Sequence, residues 1–179
     1  TTTPPHSSAA SDVYKRQQLI DNHQSLLPGD ESRVDLTAQA CVTIDDAETS
    51  DIDDAIALER RPDGSARLWI HIADPGRLIL EGSPLDLEAR RRGSSLYLSR
   101  GNLPMFPTDL SSGPFSLRTG CRNASWSTWV DLNEHGGIAD FGILRSWVTP
   151  RYRLTYDDAD ELIAVSYTHL TLPTNVAVW

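Results

Sequence analysis

Between Val42 and Asp54 the chain reads VTIDDAETSDIDD. The alternation Val42-Thr43-Ile44 is a strand signature, and it runs directly into six acidic residues within ten positions: Asp45, Asp46, Glu48, Asp51, Asp53 and Asp54. Two carboxylates held at ~4 Å repel by about 4 kcal/mol at an effective dielectric of about 20. A fold that gathers these side chains therefore needs a cation among them, and oxygen donors suit magnesium, manganese or calcium. The spacing allows convergence, because Asp45 sits where the strand ends and Asp51, Asp53 and Asp54 follow a turn of five residues. Extended backbone would put Asp51 and Asp53 on one face, whereas a helical turn would pair Asp51 with Asp54. Acidic runs also occur as solvated loops. A calcium loop of the EF-hand kind fails, since counting from Asp51 puts Ala55, Ile56 and Pro62 where an oxygen ligand, glycine and glutamate are required.

A chain of 179 residues suits one domain with a real core. No apolar run approaches the roughly 20 residues that span a bilayer, and the N-terminus lacks a basic-then-apolar signal pattern, so a cytoplasmic location and no membrane partner are expected. Cys41 and Cys121 lie far apart among strand-like residues and are expected as buried free thiols. The net charge of −9 argues against simple nucleic-acid binding, but its excess is concentrated in the acidic stretch, where divalent ions would reverse the local sign. Arg90, Arg91 and Arg92 read either as a solvated helix end that complements the dipole or as an RNA contact.

Turn chemistry organises the rest. Ala38 to Ile44 reads as the first strand; Ile56–Arg60 and Ala66–Ala73 form a hairpin around Asp63-Gly64, which supplies the positive-φ position. Ser83 reads as an N-cap, with Pro84 opening a helix, Asp86 three residues after the cap and Gly93 closing it. Residues 101–120 look too irregular for a regular element. Ser125–Leu132 and Ile138–Val148 flank a turn at 133–137, and Thr155 with Asp158 forms a capping box before a last helix. Trp69, Trp126, Trp129 and Trp147 are expected in the core, and His71 as a structural hydrogen-bonding residue. The expected class is α+β, mainly antiparallel hairpins with flanking helices.

Both ends look foreign. Residues 12–17, DVYKRQ, and 165–169, VSYTH, are complementary translations of one transposase adapter sequence used in DNA library preparation. Residues 1–17 and 165–179 are therefore expected to be translated adapter, and 18–32 a linker.

Arg33-Val34-Asp35-Leu36-Thr37, the acidic stretch and HIADPG at 71–76 together resemble the catalytic (RNB) domain of the ribonuclease II family. So do Gly82-Ser83-Pro84-Leu85-Asp86, GSSLYL at 93–98, LPMFP at 103–107, Leu110-Ser111-Ser112 and Ser116-Leu117-Arg118, in the same order and spacing over about residues 33–158. The resemblance implies a partial RNB domain, its N-terminal half at 33–164, from a magnesium-dependent 3′-to-5′ exoribonuclease that degrades single-stranded RNA to nucleoside 5′-monophosphates, with Mn2+ as an alternative metal. It implies metal ligation by Asp45, Asp51, Asp53 and Asp54, with Asp45 and Asp54 the direct ligands. Asp51 and Asp53 would be catalytic, and Tyr97 would pack against the RNA 3′ end. Asp46 and Glu48 are left facing solvent. The family's remaining catalytic groups, in the C-terminal half of the domain, and its oligonucleotide-binding barrels do not match anything in this sequence, so the fragment alone is expected to be inactive. A non-hydrolytic RNA-binding or regulatory module is the alternative, and a calcium-stabilised structural domain a third.

Overall fold

The computed structural model describes residue 19 and residues 25–98 and 101–167. Nine strands and three helices follow one another along them: β1 Val34–Asp35, β2 Val42–Asp45, β3 Asp54–Arg60, β4 Ala66–Ala73, α1 Pro84–Arg92, β5 Leu96–Leu98, β6 Gly101–Leu103, α2 Thr108–Ser111, β7 Asn123–Leu132, β8 Ile138–Val148, β9 Tyr152–Thr155 and α3 Tyr156–Tyr167. Seven strands make one sheet in the order β1-β8-β7-β4-β3-β2-β9, while β5 and β6 pair separately. Among the described residues no helix is long and apolar enough to cross a membrane.

Three local expectations are met closely. β3 and β4 pair from Asp54 with Ile72 to Arg60 with Ala66, closed by a turn in which Gly64 has φ 86°. Ser83 Oγ accepts the Asp86 N–H at 3.3 Å, Pro84 opens α1, and Gly93 ends it at φ 76°. The Thr155–Asp158 box is reciprocal: the Asp158 N–H donates to Thr155 Oγ1 at 3.1 Å, and the Thr155 N–H to Asp158 Oδ2 at 2.8 Å.

Other expectations need correction. The sheet is mixed, because β1 runs parallel to β8 and β2 parallel to β9. Such pairs are joined by long crossovers that leave no turn signal between them. The first strand expected at 38–44 is shortened to Val42–Asp45, since Asp35 Oδ1 accepts the Thr37 N–H (3.0 Å) and hydroxyl (2.7 Å), turning the chain. Within 101–120 lie β6 and α2. Cys41 is fully buried, its thiol pushed up to about 11 by burial, but Cys121 is only half-buried. Trp126 is 47% exposed, because its neighbours Ser125 and Ser127 face inward and the strand's alternation turns the indole out beside Ile72. Trp69 and Trp147 are buried, and Trp129 is half-buried opposite Gly142, where a Cβ would approach the indole to 2.6 Å. Only glycine fits there.

The buried face of the sheet is built largely from small or polar residues, Cys41, Thr43, Ala55, Ala57, His71, Ser125, Ser127 and Ser146, with Trp69, its half-buried neighbour Trp129 and Val148 as larger side chains. His71 Nδ1 bonds Ser127 Oγ at 2.7 Å, and burial pushes the imidazole down to about 4, so it is neutral, as a structural histidine should be.

Residues 25–32, part of the stretch read as a linker, hold a charge cluster. Asp30 is 5% exposed in a 3₁₀ turn at Asp30–Ser32, and its carboxylate accepts Arg33 Nε at 2.9 Å, Arg77 Nη2 at 2.7 Å and the Leu27 N–H at 2.7 Å. Arg33 also pairs with Asp74, and donates to the carbonyls of Ser125 (3.2 Å) and Ser146 (3.4 Å). The guanidiniums of Arg33, Arg77 and Arg122 stack on the Trp147 ring at 5.4, 4.8 and 4.0 Å. This clamp fastens the chain before β1 to the ends of β4, β7 and β8. Of the expected adapter residues, 1–17 and 168–179 lie outside the described residues, and 165–167 belong to α3.

Candidate functional site

Asp45 is the last residue of β2, which lies between β3 and β9 and sets Asp45 beside Thr155. The loop after it is shaped by its own polar groups. Asp46 Oδ1 accepts the Glu48 N–H at 2.9 Å, the Asp46 carbonyl accepts the Thr49 N–H at 3.1 Å, and both acidic side chains face solvent as expected. From β9, the Arg153 guanidinium gathers the carbonyls of Asp46 and Ala47, each at 3.4 Å, and of Thr49.

The return of the loop is fixed at Ile52. That side chain is 4% exposed; its N–H donates to Ser116 Oγ at 2.9 Å, and its carbonyl accepts the Leu117 N–H at 2.7 Å. One residue on, the Asp53 carbonyl accepts the Ala73 N–H at 2.8 Å. Asp51 and Asp53 flank this buried isoleucine. Asp51 is half-buried, whereas Asp53 and Asp54 are exposed. β2 meets β3 at the pair Val42–Ile56.

Electrostatics shows the four as neighbours. The Asp45 carboxyl, nine-tenths buried, is raised above the usual carboxylate range by burial and then by Asp54 and Asp53; Arg153 opposes the shift and Asp51 adds to it. Asp54 is raised by burial and by Asp53. Asp45 Oδ2 is buried with no hydrogen-bond partner among the described residues. The donor set consists of hard carboxylate oxygens, the kind of ligand a magnesium-like ion takes. Among the described residues no three acidic, histidine or cysteine side chains stand close enough together to hold a metal ion as they are placed.

The other sequence-marked residues fall elsewhere. Tyr97 lies on β5 with Asn102 as its register partner, and its side chain is outside the described residues. Asp74 belongs to the buried clamp. Arg90, Arg91 and Arg92 pair along α1 with Asp86 and Glu88 at 2.7–3.0 Å, the arrangement of a solvated helix end. Sequence reading assigned no role to Ser116, although it lies in a quoted motif, and none to Arg153. A serine that bonds a residue 64 positions away leaves no local signal.

A mixed sheet whose acidic strand end is pinned by distant backbone contacts defines the class. The chain belongs to the RNB domain family, whose model matches residues 33–171. It is 51% identical over 136 residues to an uncharacterized ribonuclease of Synechocystis, covering 76% of this chain and 20% of that protein. To the chloroplastic/mitochondrial ribonuclease II of Arabidopsis thaliana it is 41% identical over 131 residues, 73% of this chain and 16% of that one. Among solved structures, Mycoplasma genitalium RNase R in complex with ribose-methylated single-stranded RNA superposes with a TM-score of 0.72 at 25% identity, over 89% of this chain and 26% of that one. The chain thus spans about a fifth of the length of the relatives it matches.

Proposed function

We propose that this chain supplies the carboxylate half of the active site of a magnesium-dependent 3′-to-5′ exoribonuclease, a longer cytoplasmic protein that hydrolyses single-stranded RNA to nucleoside 5′-monophosphates. The observation that carries the reading is Asp45: a buried carboxyl raised by burial and by the neighbouring Asp54 and Asp53, in a domain whose relatives are named ribonucleases. Asp45 and Asp54 would hold the metal, with Asp51 and Asp53 completing the shell, and Mn2+ would substitute. Bound there, divalent ions supply charge stabilisation for the phosphate and its attacking water. The chain's own residues supply position: Ile52 and Ser116 fix the loop, and Arg153 holds its carbonyls so that the carboxylates need not relocate when substrate arrives. Tyr97 would stack on the RNA 3′ end.

This chain alone would bind Mg2+ or Mn2+ weakly and lack nuclease activity, because the remaining catalytic groups and RNA-binding barrels lie elsewhere in the longer protein. The test is release of mononucleotides from end-labelled RNA by the full-length protein with and without Mg2+. Mononucleotides formed only with metal support the reading; RNA bound but never cut would establish the non-hydrolytic module instead.

A further inference from the structure

The buried face of the sheet carries a polar stripe that the proposed chemistry leaves unused. One row across the strands runs Thr43, Ala55, His71, Ser127, and Asp45 ends β2 two residues after Thr43 on the same face. Ala55 with His71, His71 with Ser127 and Ala73 with Ser125 are register partners, and the Val42–Ile56 pair places Thr43 next to Ala55. At the serine end the hydroxyls are partnered: Ser146 Oγ lies 2.5 Å from Ser127 Oγ and 2.6 Å from Ser125 Oγ, and Ser127 meets His71 Nδ1. At the acidic end the pattern reverses. Thr43 Oγ1, His71 Nε2 and Asp45 Oδ2 are all buried, and none has a hydrogen-bond partner among the described residues. Thr43 is 1% exposed and His71 fully buried.

Three polar atoms left dry on neighbouring positions would each carry a desolvation cost with nothing to offset it. Between Thr43 and His71 stands Ala55, so a methyl group occupies the position that separates them. Water is the small molecule that can donate to a carboxylate and to an imidazole nitrogen while accepting from a hydroxyl.

We propose that a short chain of ordered water over Ala55 links Asp45 Oδ2 to Thr43 Oγ1 and His71 Nε2, making Thr43 and His71 positioning residues for the Asp45 carboxylate. Water donating to the inner oxygen fixes the carboxylate's rotation, so the other oxygen is presented outward to a cation. The effect on metal binding rests on the metal reading above; the hydration itself does not.

Thr43→Val keeps the side chain's shape and removes its hydroxyl, and Thr43→Ser keeps the hydroxyl. In the 179-residue chain, Thr43→Val is expected to lower the urea midpoint and weaken Mn2+ binding, measured by calorimetry, by roughly tenfold, with Thr43→Ser restoring the affinity. A crystal structure should show ordered water within hydrogen-bonding distance of all three atoms. If Thr43→Val raised the urea midpoint and left Mn2+ affinity unchanged, the hydroxyl would be a dry orphan and the proposal overturned, as it would be by side chains filling the space. A wild-type chain that binds no Mn2+ while Thr43→Val still lowers the midpoint would break the metal reading and sustain the water.

Discussion

The molecule contains two clusters of aspartates, and they are built on opposite principles. Around Asp30 and Asp74 the fold brings its own cations, Arg33 and Arg77, so the Asp30 carboxyl is held far below the usual range: burial opposes, but Arg77, the Leu27 N–H and Arg33 outweigh it. Around Asp45 and Asp54 the arginine that opposes the shift, Arg153, spends donors on backbone carbonyls, and both carboxyls are raised. The same residue type is structural where the fold neutralises it and chemically available where the fold declines to. A cluster that no internal partner satisfies is destabilising unless something from outside completes it.

The comparison can be broken most forcefully by exchanging charge for amide in the second cluster. In the full-length protein, Asp53→Asn is expected to cut RNA hydrolysis at least roughly a thousandfold, with RNA affinity and unfolding midpoint almost unchanged. Parallel losses in affinity and turnover would make Asp53 structural and erase the contrast. Asp30→Ala in the present chain should do the reverse, costing about 3 kcal/mol because it removes the carboxylate that two buried arginines share; equilibrium urea denaturation measures it. A loss below about 1 kcal/mol would show that Arg33 and Arg77 find other partners.

The pH response should separate the groups next. His71 is neutral when folded and titrates near 4, against about 6.5 unfolded, so the folded state binds fewer protons in that window. Stability should therefore fall as pH drops from about 6.5 towards 4, and His71→Gln should flatten that part of the profile. The raised Asp45 and Asp54 act with the opposite sign: above the unfolded carboxylate value the folded state holds the extra proton, and stability falls as pH rises through the raised values. Asp45→Asn should consequently stabilise the metal-free chain at pH 7 by about 1 kcal/mol, a gain that shrinks on acidification. At the small end, Glu88→Gln on α1 should leave Tm unchanged, because its arginine partners, Arg91 and Arg92, sit in solvent.

What could be seen in the sequence was what is encoded locally. The Asp63-Gly64 turn, the Ser83 cap, the Thr155–Asp158 box and the strand leading into Asp45 each depend on residues a few positions apart. Asp46 and Glu48 are read as facing solvent because the resembling family's motif is not acidic by rule at those positions, and both are exposed. Trp126 was misjudged because hydrophobicity says that a residue belongs on a strand, whereas its inward-facing serine neighbours decide which side it takes. The parallel pairs of β1 with β8 and β2 with β9, the clamp at Asp30, and the contacts of Ser116 and Arg153 with the acidic loop all join distant parts of the chain. Their individual residues are unremarkable, and only the closed sheet gives them a role.

The parallel pairing of β2 with β9 also sets a timetable. Asp46 leaves the ribosome 107 residues ahead of Arg153, whose guanidinium holds its carbonyl. At ordinary elongation rates that interval is about 5–20 s. During it β2 has no outer neighbour and the carboxylate loop no brace, while the β3–β4 hairpin can already form from local contacts. The acidic loop is thus among the earliest parts of the sheet to be translated and the last to be secured, so a nascent chain would acquire its hairpins well before the brace on its carboxylates.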